Sequence, residues 1–181
     1  ASSYYLCNRD GTFSFQNELG NSKRQAFMAG DLNGDYWPDL YAVNFKQDND
    51  LYVNQNDSGL ISFGEDPSQS RLSMGSIMFD FDEDNDLDIY ITYDGNEPNE
   101  LLINDDFGFF TNTSSSFNLD NQSHGMGVDI ADFNLDGQYD FYITNLGPND
   151  LLIHNGEGFL ELGQEAGVND PGMGWGTVCF D

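Results

Sequence analysis

Asp132-Phe133-Asn134-Leu135-Asp136-Gly137-Gln138-Tyr139-Asp140-Phe141 places side-chain oxygens at positions 1, 3, 5 and 9 of a short loop, with glycine at position 6. Alternating carboxylate and amide oxygens, with the Gln138 carbonyl at position 7, make a donor set for a hard cation. Ca²⁺ takes roughly six to eight oxygen ligands, whereas Mg²⁺ demands small octahedral geometry and keeps its waters. The same stretch recurs as Asp31-Leu32-Asn33-Gly34-Asp35-Tyr36-Trp37-Pro38-Asp39-Leu40 and as Asp80-Phe81-Asp82-Glu83-Asp84-Asn85-Asp86-Leu87-Asp88-Ile89. The expected ligands are Asp31, Asn33, Asp35, the Trp37 carbonyl and Asp39 in the first loop. They are Asp80, Asp82, Asp84, Asp86 and Asp88 in the second, and Asp132, Asn134, Asp136, Gln138 and Asp140 in the third. Asp181 opens a fourth copy and counts as a partial site.

The first ligands stand at 31, 80, 132 and 181, intervals of 49, 52 and 49 residues. A period near 50, with strand-like segments and no helical periodicity, belongs to propeller blades or related arrays. Each period reads as strand, acidic loop, strand, turn, strand, turn, strand: residues 26–30, 40–44, 50–54 and 60–63 in the first. The second offers 76–79, 89–92, 101–104 and 108–111, and the third 127–131, 141–145, 151–154 and 158–161. Residues 4–15 read as two strands around the Asp10-Gly11 turn, the back half of a unit. The expected fold is all-β, a propeller-type array of four-stranded blades with three near-complete blades and partial terminal ones. Its divisions are 1–20 (half blade), 21–68, 69–120 and 121–169 (three blades), and 170–181 (first strand of a further blade).

Runs such as Leu101-Leu102-Ile103 break the alternation of a one-sided sheet and fit sheets covered on both faces by neighbouring blades. Gly75, Gly127 and Gly176, each ahead of a loop, suit a crowded innermost strand. Three blades are fewer than the six or seven typical of such rings. The rest of a longer chain, or other copies of this one, are therefore expected to complete the array, since open sheet edges are adhesive. The start at Ala1 and not Met fits a processed, trimmed or excised segment.

The repeat, with its Tyr-bearing second strand and the Asn-[Asp/Glu]-Leu signature at Asn49-Asp50-Leu51, Asn99-Glu100-Leu101 and Asn149-Asp150-Leu151, resembles the FG-GAP/VCBS family. Asp10-Gly11-Thr12-Phe13 is similar to that family's closing hairpin. These are the calcium-loop propeller repeats of integrin α-subunit heads and of many secreted bacterial and fungal proteins. The resemblance covers essentially the whole chain. It implies a non-enzymatic calcium-binding module, extracellular or at the cell surface, with a structural or adhesive role and assembly into a larger surface structure or filament. A lectin-like propeller taking glycans between blades is the alternative, and an extracellular protein or glycan is the expected ligand.

Within the pattern, Asn85 replaces glycine at position 6 of the second loop, which asparagine tolerates in the left-handed conformation. Tyr36 stands there in the first loop, so that site is expected to be distorted or weakest. Asn33 and Asn134, in place of aspartate, lower the ligand charge.

The charge balance supports loop chemistry. Thirty-two acids face five Lys and Arg, a net charge of −27, and Glu supplies only eight of the acids. Eleven Asp lie within the three loops, and three divalent ions would leave about −21. That remainder argues against nucleic acid and anionic membranes as partners, both of which need a basic patch. No apolar run approaches the length of a membrane span. Asn56, Asn112 and Asn121 head N-x-S/T sequons and are candidate glycosylation acceptors. Cys7 and Cys179 read as thiols replacing apolar strand residues, with a bridge open only if the fold joins the ends. His154 takes the place of Asn54 and Asn104 and reads as a turn residue. Asp129 stands where Met28 and Ile77 stand and is a candidate for lining a polar channel. Tyr36, Trp37 and Trp175 are candidate sugar-stacking rings, although blade core packing is the commoner role for Trp175.

Overall fold

Short runs of Val, Ile, Tyr, Phe and Leu between Gly, Asn and Asp turns favour extended backbone over helix. The computed structural model describes residues 2–56, 59–63, 70–105 and 107–180. Strands β1 (Ser3–Cys7) and β2 (Phe13–Glu18) form an antiparallel hairpin about Gly11, which takes φ 84°. Three antiparallel quartets follow. Blade 1 comprises β3 (Arg24–Gly30), β4 (Asp39–Gln47), β5 (Asp50–Asn54) and β6 (Leu60–Ser62). Blade 2 comprises β7 (Arg71–Phe79), β8 (Asp88–Tyr93), β9 (Glu100–Asn104) and β10 (Phe110–Asn112). Blade 3 comprises β11 (Gly125–Ala131), β12 (Asp140–Asn145), β13 (Asp150–His154) and β14 (Phe159–Glu161). The architecture is all-β and propeller-like, as the repeat predicts.

Register repeats along with sequence. Leu40 pairs with Ala29, Ile89 with Met78 and Phe141 with Ile130. Alternate residues of the second and third strands therefore face opposite neighbours. Tyr41 and Leu51 of blade 1 share a core cluster with Ile89, Ile91 and Leu102 of blade 2. Tyr90 and Leu101 of blade 2 share the next with Phe141, Ile143 and Leu152 of blade 3. Leu19, after β2, packs in the same way against Ala42 and Tyr52. Both members of Leu101-Leu102 are fully buried, each on its own side, which is why the strands read as unbroken apolar runs. Each buried leucine of this kind stabilises by about 2 kcal/mol relative to exposure.

The inner strands approach closely enough to require glycine. A Cβ on Gly75 would lie 2.7 Å from the Met126 carbonyl oxygen and 3.1 Å from the Gly127 Cα. Thr92 and Thr144 accept the N–H groups of Gly75 and Gly127 through their hydroxyls, both at 3.1 Å, beside an irregularity in the strand register.

The Asn-[Asp/Glu]-Leu signature closes the second turn of every blade. Asn49, Asn99 and Asn149 accept through Oδ1 the N–H groups of Asn44, Tyr93 and Asn145 at 2.8, 3.0 and 3.0 Å. The acid that follows ties the blade to the chain entering it. Asp50 meets Arg24 and Glu100 meets Arg71, each at 3.0 Å. Asp150 instead accepts from neutral donors, the Asn121 amide at 2.6 Å, the Ser123 hydroxyl at 3.0 Å and the Asn145 amide at 3.1 Å, and burial pushes its pKa up.

Several expectations need amendment. Two one-turn helices, α1 (Ser114–Phe117) and α2 (Gly163–Ala166), follow the fourth strands of blades 2 and 3 and are too short to show periodicity. In the 170–181 division, expected as the first strand of a further blade, residues 175–180 carry no strand pairing and lie beside β11, where the Cys179 N–H donates to Asp129 Oδ2. Asp129 thus holds this segment. Trp175, for which blade core packing was the commoner expected role, is 60% exposed on this unpaired segment. β4 runs on to Gln47 and pairs with β7 at Phe45↔Leu72, joining blades 1 and 2 along one edge. Cys7 and Cys179 are free thiols. Asp181, residues 57 and 58 of the first sequon, and the division at 68/69 lie outside the described residues.

Candidate metal centre

Each acidic loop links the first and second strands of a blade, and its own carboxylates fold it. The position-1 carboxylate gathers N–H groups from the loop's far side. Asp31 accepts from Asp35 at 3.1 Å and Tyr36 at 2.7 Å, and Asp80 from Asp84 and Asn85, both at 3.1 Å. Asp132 accepts from Asp136 at 3.0 Å and Gly137 at 2.8 Å. The position-5 carboxylate in turn accepts the position-7 N–H: Trp37 to Asp35 at 2.9 Å, Asp86 to Asp84 at 3.1 Å and Gln138 to Asp136 at 2.9 Å. With the N–H groups turned onto these oxygens, the loop wraps around its own acids and concentrates them on one side.

Position 6 takes the left-handed conformation in all three loops, at φ 67° for Tyr36, 78° for Asn85 and 91° for Gly137. Tyr36 keeps the same hydrogen bonds as its counterparts, so the expected distortion of the first loop is absent from its bonding. Its side chain is 94% exposed and meets nothing that would push the backbone elsewhere. Position 4 is left-handed as well, at Gly34, Glu83 and Leu135. Gly34 signals this in the sequence, but Glu83 and Leu135 conceal it.

The position-9 aspartates have a second task that spacing alone did not reveal. Asp39, Asp88 and Asp140 are buried, and each accepts two backbone N–H groups. One comes from loop position 2: Leu32 at 3.0 Å, Phe81 at 2.7 Å and Phe133 at 2.9 Å. The other comes from the end of the third strand: Asn54 at 2.8 Å, Asn104 at 2.9 Å and His154 at 2.8 Å. Each residue therefore pins loop, second strand and third strand together.

The second loop carries the highest concentration of charge. Asp80, Asp82 and Asp88 bring carboxylate oxygens within 4.8 Å of one another, a grouping able to hold a metal ion. Burial, with repulsion from Asp82 and Asp84, pushes Asp88 up to about 6 against two hydrogen bonds that favour its charge. Burial and then Asp84 raise Asp82, and burial raises Asp39. Asp84 and Asp136 are lowered, chiefly by the backbone N–H groups of Asp86 and Gln138. A divalent cation suits these donors: all are hard oxygens, and the repulsion raising Asp82 and Asp88 is what such a charge would offset.

A family profile for FG-GAP-like repeats matches residues 31–91 and 80–143, taking in all three loops and the strands between them. The chain belongs to the FG-GAP-like repeat family. No curated protein sequence matches it. The two matched stretches overlap across the second loop, so the family's unit runs from one acidic loop to the next, in step with the blades. FG-GAP repeats are structural modules, and in this one the position-9 aspartates tie each loop to the third strand.

The remaining sequence candidates are scattered. Trp37 is 45% exposed on its loop, and the Asn112 amide donates to Glu100 at 2.8 Å. The Asn121 amide is turned inward onto Asp150, with its oxygen accepting from Asn99 Nδ2 at 2.9 Å. His154 ends β13 as a turn residue, its Nδ1 accepting the Gly156 N–H at 3.3 Å. Apart from these candidates, His124 meets Asp94 at 2.6 Å across the seam between blades 2 and 3.

Proposed function

We propose that the chain is a calcium-stabilised, non-enzymatic propeller module that works outside the cell as a structural or adhesive element. The observation that carries this reading is the triple repetition of one folded carboxylate loop at one place in each blade. Asp80, Asp82 and Asp88 supply carboxylate oxygens within 4.8 Å, and Asp84 and Asp86 complete that loop's expected set. Asp31, Asn33, Asp35, the Trp37 carbonyl and Asp39 form the first set, and Asp132, Asn134, Asp136, Gln138 and Asp140 the third. When bound, calcium supplies charge neutralisation and a bridge between oxygens. Because Asp39, Asp88 and Asp140 already grip the third strand, a cation drawn to them clamps three strands at once. The acids recur identically, whereas catalytic carboxylate pairs are usually unique in a fold.

An extracellular setting suits this reading, because the calcium sites of extracellular modules work at roughly 0.1–1 mM calcium. Among the described residues no helix is long and apolar enough to cross a membrane. The outer face of blade 3 exposes Phe133 and Val168 beside Tyr142 and Leu151, positions where blade 2 half-buries Phe81 and buries Leu119, Tyr90 and Leu101. A further blade suits that face, from the rest of a longer chain or from another copy, the second route leading to filaments.

Calorimetric titration of the chelated protein with CaCl₂ tests the reading. Binding of up to three ions, with a rise in melting temperature of many degrees, is expected. Equal melting in EGTA and in CaCl₂ would remove it. A glycan array with and without calcium tests the lectin alternative.

A further inference from the structure

The seam between neighbouring blades beside the acidic loops is closed in one place and open in the next. Between blades 1 and 2, Leu87 and Met78 cover Gly30, Leu32 is 1% exposed, and Asn104 Nδ2 donates to the Leu32 carbonyl at 2.9 Å. Between blades 2 and 3 Ile130 takes the place of Met78, and the other four positions change more sharply. Phe79 replaces Gly30, Phe81 replaces Leu32, Tyr139 replaces Leu87, and His154 replaces Asn104. His154 stays on its own blade, its ring 5.1 Å from Phe159. The result is a cleft of about 310 Å³ with Phe79, Phe81, Tyr139 and Phe159 among its walls and Asp82 and Glu83 at its rim.

We propose that this cleft binds an organic ammonium group, either a free quaternary or primary amine or a lysine side chain of another protein. Two independent features select that chemistry. The walls are aromatic: Phe79 and Phe159, 7% and 3% exposed, form the floor, and Tyr139, edge to face with Phe79 at 5.9 Å and 53% exposed, is the open ring beside the half-buried Phe81. Aromatic surface attracts soft, weakly hydrated cations and distinguishes them from simple inorganic ones. The rim is anionic and has no lysine or arginine among its described residues. Residues 80–88 hold six acids, so a divalent ion in the second loop leaves an excess of four negative charges. The chain as a whole, at −27, draws cations toward that mouth. The inference holds with or without a bound ion, so its failure would leave the calcium reading standing.

Amide chemical shifts of the calcium-saturated protein provide the test, with choline chloride, N-acetyl-lysine methylamide, sodium chloride and methyl glucoside as separate titrants. Saturable shifts are expected at Phe81, Glu83, Gly137 and Tyr139 with choline or the lysine derivative, and none at Gly30 or Leu87 of the closed seam. Choline alone identifies a free quaternary amine as the ligand class, and the lysine derivative alone a protein side chain. Tyr139→Ala is expected to weaken binding about fivefold. Glu83→Gln, an exposed change that leaves the fold intact, should weaken it about threefold. Shifts no larger than with sodium chloride, shifts with methyl glucoside only, or affinity unchanged in Glu83→Gln would overturn the proposal.

Discussion

Asp88 accepts the Asn104 N–H at 2.9 Å from inside the protein, fixing the end of a strand 16 residues farther along the chain. Its other oxygen holds Phe81 at 2.7 Å. Replacing it by asparagine turns an amide N–H₂ toward a backbone N–H and leaves one donor unmet. Asp88→Asn is expected to cost about 2 kcal/mol in urea denaturation performed in EGTA, where no metal contribution is counted. A loss seen only with calcium present would mean that the residue is a ligand and not a pin.

The same residue predicts an inverted pH response. Burial holds Asp88 at about 6 in the folded chain, above the ordinary carboxylate value, so between roughly pH 4 and 6 the folded state binds more protons than the unfolded one. Stability of the metal-free protein should therefore rise as pH falls from 7 through that window, and Asp39, Asp82 and Asp150 shift in the same direction. Calcium competes with those protons, so the stabilisation it gives should shrink over the same range. Melting curves at pH 7 and pH 5, each in EGTA and in CaCl₂, check both halves.

Tyr36 and Gly137 occupy equivalent left-handed positions with opposite tolerance for them. Tyr36→Asn should stabilise by about 0.5–1 kcal/mol, because asparagine adopts the conformation more readily and the lost side chain touches little. Gly137→Tyr should cost a similar amount, although nothing lies within 4 Å of its added Cβ. Denaturant midpoints of the two variants should move in opposite directions.

Arg24 separates Asp50 from Asp150. With only 4% of its side chain exposed, Arg24 depends on Asp50, and Asp50→Asn leaves a buried charge unpaired at about 3 kcal/mol. Among the described residues Asp150 meets neutral donors only, so Asp150→Asn keeps most of its bonds and should cost under about 1 kcal/mol. Equal costs would show that the arginine contributes nothing specific.

Strand order and blade period were legible because each rests on short-range chemistry: Gly and Asn at turns, ligand spacing in loops, paired apolar residues in strands. The double-sided burial of Leu101-Leu102 was readable for the same reason. What escaped depended on distant partners. Nothing in Asp88 announces Asn104, and nothing in Leu135 announces a φ of 61°, which its loop imposes. Trp175 looked like core by residue type, yet burial depends on a neighbour that composition does not name. The open seam at Tyr139 became visible only when its four substitutions lay side by side.

The opposed faces of the second and third strands have a thermodynamic corollary. Tyr90 and Ile91, adjacent in the chain, belong to different clusters, so no blade owns a private interior. A blade detached from its neighbours would lose two half-cores and keep none, and melting should spread along the row as a cooperative front. The loops close each blade locally, but cohesion along the array is a property of the joints.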